Sequence, residues 1–97
     1  MEDTNQRLHV NIAGIVQGVG FRFFVFTHGK NRNLRGWVRN RNNGDVEVLA
    51  EGPRSELEYL LEKLKRGPDA AQVIEIDVQW QTFKGDLPPF TVLPTDY

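Results

Sequence analysis

Within residues 14–22 the chain changes from one hydrophobic period to another, and the change falls on glycines: Gly14-Ile15-Val16-Gln17-Gly18-Val19-Gly20-Phe21-Arg22. Before it, Leu8, Val10 and Ile12 alternate with His9, Asn11 and Ala13, which is the period of a strand with one buried face and puts His9 on the solvent side. After it, Phe21, Phe24, Val25 and His28 recur at helical spacing to about Arg32, with Phe23 and Phe26 widening the apolar face and His28 packing at its edge. A strand must therefore turn into a buried helix across two glycines. The first N–H groups of a helix lack internal partners and carry the positive end of its macrodipole, and glycine lets the preceding loop approach a ligand closely. Arg22 adds a planar positive fork able to hold a phosphate or carboxylate with two parallel hydrogen bonds. The backbone amides of Gln17, Gly18, Val19, Gly20, Phe21 and Arg22, with the Arg22 guanidinium, thus predict an oxyanion cradle. It matches neither the Walker pattern, which needs a Lys-Ser/Thr, nor the dinucleotide pattern, which needs a third glycine.

The rest of the chain supplies alternating strands and one more helix. Residues 37–41 and 45–51 are two alternating runs joined by Asn42-Asn43-Gly44, and Asn-Gly at the tip predicts a hairpin, because both residues tolerate positive φ. Pro53 suits the first turn of a second helix, in which Leu57, Leu60, Leu61 and Leu64 form one stripe and Gly67-Pro68 end it. Glu56 and Glu58 fall early and Lys63, Lys65 and Arg66 late, as the macrodipole favours. Ile74, Ile76, Val78 and Trp80 alternate with Glu75, Asp77, Gln79 and Gln81 as a fourth strand facing the core. After turns around Lys84-Gly85-Asp86 and Pro88-Pro89, residues 90–92 read as a short edge strand. The order β-α-β-β-α-β is the split βαβ pattern of a ferredoxin-like α+β sandwich: an antiparallel sheet of four main strands plus the terminal edge strand, with both helices on one face. The first crossover returns strand two in the direction of strand one, so the glycine loop and Asn40 share one edge of the sheet.

Ninety-seven residues make a single domain over 1–97, of which residues 1–6 read as a disordered tail. The start is polar and acidic and no apolar run approaches membrane-spanning length, so a cytoplasmic, monomeric protein without membrane contact is expected. With no cysteine and two histidines, neither a disulfide framework nor a transition-metal site is expected, and no cofactor is called for. The net charge of −1 conceals an asymmetry: residues 1–44 hold seven Lys/Arg and two Asp/Glu (+5), and residues 45–97 hold five and eleven (−6). A basic first half would draw in an anionic substrate.

A hydrolase built on this cradle needs a nucleophile, and the residues offer none near it. There is no cysteine, no Ser-His pair in the motif, and no carboxylate between Thr4 and Gly44, so covalent catalysis is unsupported. What remains is a water oriented by a neutral side chain, and Asn40 can accept from such a water while donating elsewhere. Positioning and charge stabilisation suffice where the leaving group is good, which points to an activated phosphate such as a carboxylic-phosphoric anhydride. Nothing evident in the sequence builds a pocket for the carboxyl side.

The run Val16-Gln17-Gly18-Val19-Gly20-Phe21-Arg22, then Gly36-Trp37-Val38-Arg39-Asn40, then Gly44-Asp45-Val46-Glu47-Val48-Leu49-Ala50-Glu51-Gly52 closely resembles the acylphosphatase family over roughly residues 8–93. The resemblance implies metal-independent hydrolysis of small acyl phosphates to a carboxylate and inorganic phosphate. It implies Arg22 and the loop amides as the phosphate site, Asn40 as the residue that positions water, and inorganic phosphate or sulfate as competing anions. Two departures stand out. Asn33 occupies a helix end where the family usually has glycine, and asparagine is the next best residue there; Pro94 interrupts a tail whose last strand usually continues with a basic and an aromatic residue.

Acylphosphatase-like domains also occur at the start of hydrogenase-maturation carbamoyltransferases, which makes a noncatalytic or regulatory anion-binding domain the alternative. RNA-recognition domains share the topology, but they stack bases on aromatics of strands one and three. Here those strands carry no aromatic, and Glu47 and Glu51 are expected to be exposed, so no nucleic-acid partner is expected.

Overall fold

The computed structural model describes residues 3–96. Strand β1 (Asn5–Ile15) leads into helix α1 (Phe21–Asn31), followed by β2 (Arg35–Asn40), β3 (Val46–Pro53), α2 (Arg54–Arg66), β4 (Gln72–Thr82) and β5 (Thr91–Val92). The sheet order is β4-β1-β3-β2-β5. The four main strands pair antiparallel, and β5 runs parallel to β2, which makes the sheet mixed at that edge. The ferredoxin-like α+β sandwich expected from the sequence is therefore present.

Alternation decides which residues enter the core. Leu8, Val10 and Ile12 of β1, Val38 of β2 and Val46, Val48 and Ala50 of β3 point to the helical face and are fully buried. Helix α1 packs over β2, β3 and β5, and α2 over β3, β1 and β4. The Leu57, Leu60, Leu61 and Leu64 stripe of α2 is buried as its spacing requires, and Gly67, at φ 69°, closes that helix by donating its N–H to Lys63 O. Asn33 takes the left-handed conformation expected of it, with φ 56°. His28 packs edge-on to Phe24 at 4.7 Å between ring centroids.

Several expectations are corrected. The tail does not extend over 1–6: residues 1 and 2 lie outside the described residues, but Asp3 accepts from the Ser55 N–H at 2.9 Å, Thr4 O accepts from the Arg54 N–H at 3.0 Å, and β1 begins at Asn5. Pro53 immediately precedes α2 with extended ψ, instead of occupying its first turn. The Asn-Gly hairpin between β2 and β3 is present as expected, a three-residue turn closed by Gly44 with positive φ, in which the Gly44 N–H donates to Arg41 O at 3.1 Å and the Asn43 side chain accepts from the Asp45 N–H at 3.0 Å. Ile74 is 70% exposed, because the β1–β4 register slips at Ala13/Gly14 and Val73 takes the inward place. Phe23 does not widen the apolar face of α1 but stands 72% exposed.

The face of the sheet without helices departs most from the sequence reading. Glu47 and Glu51, expected to be exposed, are buried. Glu51 accepts from Arg7 Nε at 2.8 Å and from the N–H groups of Lys84 and Gly85 at 2.8 and 3.0 Å. Glu47 lies 2.7 Å from His9 Nε2, accepts from Arg39 Nε at 2.8 Å, and has Arg41 Nη1 at 3.4 Å. Arg41 and Arg39 also reach Asp96, at 3.0 and 3.7 Å. His9 accordingly sits half-buried in an ion-pair network instead of in solvent. The basic first half of the chain and the acidic second half meet here and largely cancel.

Burial alone would raise the Glu47 pKa, but hydrogen bonds from His9 and Arg39 and the charges of Arg39 and Arg41 outweigh it and hold the carboxyl below its ordinary value. A carboxylate whose pKa is lower folded than unfolded stabilises the protein above the unfolded value, near 4.3, and loses that contribution as pH falls through the folded value. Unfolding free energy followed from pH 7 to pH 2 should therefore drop more steeply below about pH 4.5 in the native chain than in Glu47→Gln. At pH 7 that variant should already be about 1–3 kcal/mol less stable, with Arg39 and Arg41 left without their shared partner.

Candidate active site

The glycine loop and the end of β2 meet because of strand parity. In β2, Gly36, Val38 and Asn40 share the helical face, while Arg35, Trp37 and Arg39 face away. Asn40 thus points into the layer occupied by the start of α1, and its flanking residues Arg39 and Arg41 are held on the opposite face by Glu47. A cleft of about 280 Å³ lies between them, lined by Val16, Gly18, Gly20, Phe21, Arg22, Phe23, Asn40 and Val92.

The loop is shaped by two left-handed glycines. Gly18 and Gly20 have φ of 73° and 80°, and a Cβ at either would meet nothing within 4 Å. Backbone conformation, not crowding, is thus what calls for glycine at both positions. Gly20 caps α1, taking the Phe24 N–H at 3.0 Å. Among the described residues, the amides of residues 18–22 find no acceptor, and no carboxylate comes within ion-pair distance of Arg22. Phe21 is the buried anchor of the loop, 1% exposed and edge-on to Phe24 at 6.0 Å between ring centroids.

Asn40 is 8% exposed, and its side-chain Oδ1 is buried without a hydrogen-bond partner. A buried acceptor left unmade costs about 1–3 kcal/mol, and such a group in a native fold calls for an explanation. Its backbone is secured: Asn40 O accepts from the Asp96 N–H at 2.9 Å, and Leu93 N–H donates to Val38 O at 2.9 Å. The C-terminal tail thus continues along β2 past Pro94, which is where that proline lies without breaking the pairing.

Of the residues proposed from sequence, the cleft gathers Gly18, Gly20, Phe21, Arg22 and Asn40. Gln17 and Val19 do not line it. Gln17 has another part: its side-chain Nε2 donates to Arg41 O at 2.7 Å and to Asp45 O at 2.8 Å, tying the loop to the hairpin that carries Asn40. Nothing local in the sequence announces this, since the partners lie 24 and 28 residues away. No group of three or more His, Cys, Asp or Glu gathers among the described residues in a way that could hold a metal ion. Among the described residues no helix is long and apolar enough to cross a membrane.

A family model described as acylphosphatase matches residues 8–92. The acylphosphatase of Moorella thermoacetica is 46% identical over 80 residues, covering 82% of this chain and 86% of that relative. Among solved structures, acylphosphatase from Bacillus subtilis superposes with a TM-score of 0.86 at 38% identity, covering 91% of this chain and 98% of the other. Full-length HypF in a phosphate- and nucleotide-bound form also reaches 0.86, at 30% identity, but the match spans 13% of its length against 99% of this chain.

The Gln17 clasp has a measurable consequence. Gln17→Ala should lower stability by about 1–2 kcal/mol and speed amide exchange in residues 18–22. It should also weaken phosphate binding several-fold, although the side chain lies outside the cleft. Unchanged exchange and unchanged phosphate affinity, read by NMR titration, would remove its positioning role.

Proposed function

The chain belongs to the acylphosphatase family, hydrolases that act on acyl phosphates, and from that premise we propose how its own residues divide the work. The Arg22 guanidinium and the amides of the 18–22 loop hold the phosphoryl oxygens. Asn40 Oδ1 accepts a hydrogen bond from the attacking water and aims its lone pair at phosphorus. The water oxygen forms a bond to phosphorus as the bridging P–O bond breaks, and that electron pair leaves with the acyl oxygen as a carboxylate. Both protons of the water stay with the phosphate product, which then equilibrates with solvent. The observation that carries this reading is the buried, unpartnered Asn40 Oδ1 in the same cleft as the free loop amides and the unpaired Arg22.

Charge development is small enough for such a site. Phosphoryl transfer to water leaves little covalent work for the protein, so positioning and fixed positive groups carry the catalysis. Among the described residues no titrating base lines the cleft and no metal-ligand cluster is found, which supports a reaction that proceeds without a metal. A cytoplasmic monomer is part of the same reading. A noncatalytic or regulatory anion-binding domain, the second reading, draws on the HypF match, at lower identity than the acylphosphatases.

Four outcomes test the assignment. Purified protein should release phosphate from acetyl phosphate at full rate in excess EDTA; activity abolished by EDTA and restored by Mg²⁺ would overturn metal independence. Inorganic phosphate should inhibit competitively, and inhibition that leaves the apparent KM unchanged would contradict an oxyanion-centred site. Arg22→Gln should weaken both substrate binding and turnover, costing about 2–4 kcal/mol for a lost bidentate contact. Asn40→Ala should lower kcat by about 10²-fold or more while the phosphate inhibition constant hardly moves, the mark of an interaction made chiefly in the transition state. A fully active Asn40→Ala, folded by circular dichroism, would refute the water-positioning role.

A further inference from the structure

Next to the anion cleft, where the start of α1 meets Pro68, lies a second hollow of about 330 Å³ formed by Gly20, Phe23, Phe24, Thr27, His28 and Pro68. It shares Gly20 and Phe23 with the anion cleft, so Phe23 is the common wall. We propose that this hollow is the acyl-side subsite of the reaction assigned above, and that it takes an aromatic acyl group against the Phe23 ring. The inference rests on that assignment and adds the substrate class that the anion cleft leaves open.

Reaction geometry favours the placement. In-line displacement sets the attacking and leaving oxygens on opposite sides of phosphorus. Water comes from Asn40, at the end of β2, near the β5 edge of the sheet. The acyl oxygen must then leave on the side away from Asn40, and the hollow, which shares Gly20 and Phe23 with the cleft but not Asn40, adjoins it where the start of α1 meets Pro68. Its chemistry fits an aryl group. Phe23 is 72% exposed and lines both the cleft and the hollow, so its ring is open to a group lying between them. Phe24 and His28 meet edge-on at 4.7 Å between centroids, so rings already pack there in a mutually oriented way.

The charge environment agrees. Among the described residues no carboxylate lines the hollow. Burial, together with the positive charges of Lys63 and Arg32, holds His28 below its ordinary pKa, so its wall is uncharged at pH 7. Those two cations, outside the lining, favour a group that departs as a carboxylate.

The test is the ratio of kcat/KM for benzoyl phosphate to that for acetyl phosphate, which cancels effects common to both substrates. Phe23→Ala removes the shared wall, and because the side chain is exposed the fold is not at stake; Thr27→Glu independently puts a carboxylate into the hollow. Each should lower the ratio by about tenfold relative to the native protein, with the inorganic phosphate inhibition constant unchanged. A ratio within twofold of native in both variants overturns the subsite while leaving the hydrolase assignment intact. So does a ratio that falls only together with weakened phosphate inhibition, since the loop itself would then have moved. If the native protein hydrolyses neither substrate, the assignment fails first and the subsite with it.

Discussion

One face of this sheet has no helix to cover it, and the fold depends on how that face is closed. Period-two alternation that buries Leu8, Val10, Val46 and Val48 also forces Arg7, His9, Glu47 and Glu51 onto the bare side. Removing a carboxylate from water costs several kcal/mol, whereas one charge-assisted hydrogen bond contributes about 1.5–3 kcal/mol. A single partner would leave either glutamate a net cost. Glu51 has three donors, from Arg7, Lys84 and Gly85, and Glu47 is met by His9, Arg39 and Arg41. Removing any one donor therefore matters more than a surface ion pair would.

That network also sets the charge of the cleft on the other side. Arg39 and Arg41 flank Asn40 in sequence, yet Glu47 and Asp96 hold both on the bare face. Arg7 and Arg32 are paired as well, and Arg35 donates to Leu87 O at 2.7 Å. Of the first-half arginines, only Arg22 makes no ion pair or side-chain hydrogen bond to a described residue. The field that composition suggests as a diffuse basic half is thus concentrated into one guanidinium beside a helix start, where an anion can use it at short range.

The order of elements was legible because each carries its own period: Leu57, Leu60, Leu61 and Leu64 can only make one stripe as a helix, and Leu8, Val10 and Ile12 only one face as a strand. That Arg22 and Asn40 lie at one cleft was legible through the topology, which brings the ends of β1 and β2 to the same edge. What escaped depends on contacts distant in sequence. Glu47 and Glu51 read as exposed because alternation tells which face a residue takes, not whether arginines will close that face. Ile74 read as inward because alternation does not reveal that it is itself the extra residue of β4, passed over where the pairing steps from Ala13–Glu75 to Gly14–Val73. Gln17 read as a loop amide because its side-chain bonds go to Arg41 and Asp45, across the site. The hollow behind Phe23 needs α1 and the end of α2 brought together, which no local pattern contains.

The arrangement places its rigidity where the chemistry gains most from it. On the division of roles proposed above, the loop amides and Arg22 hold the phosphoryl oxygens in the ground state and the transition state, whereas the contribution of Asn40 has to be stronger in the transition state than in the ground state. Asn40 Oδ1 is suited to that, because it is left unsatisfied by the protein and its position is fixed by neighbours unrelated to substrate: the Asp96 amide on its carbonyl and the Glu47 clamp on the residues either side. The cost of the orphaned acceptor, about 1–3 kcal/mol, is met in folding, supported by the buried network on the far face. A water that enters the cleft then finds its acceptor already oriented, and little side-chain entropy remains to be lost when it attacks. The ion pairs of the bare face and the neutral amide in the cleft are thus two sides of one strand, and the first gives the second its fixed aim.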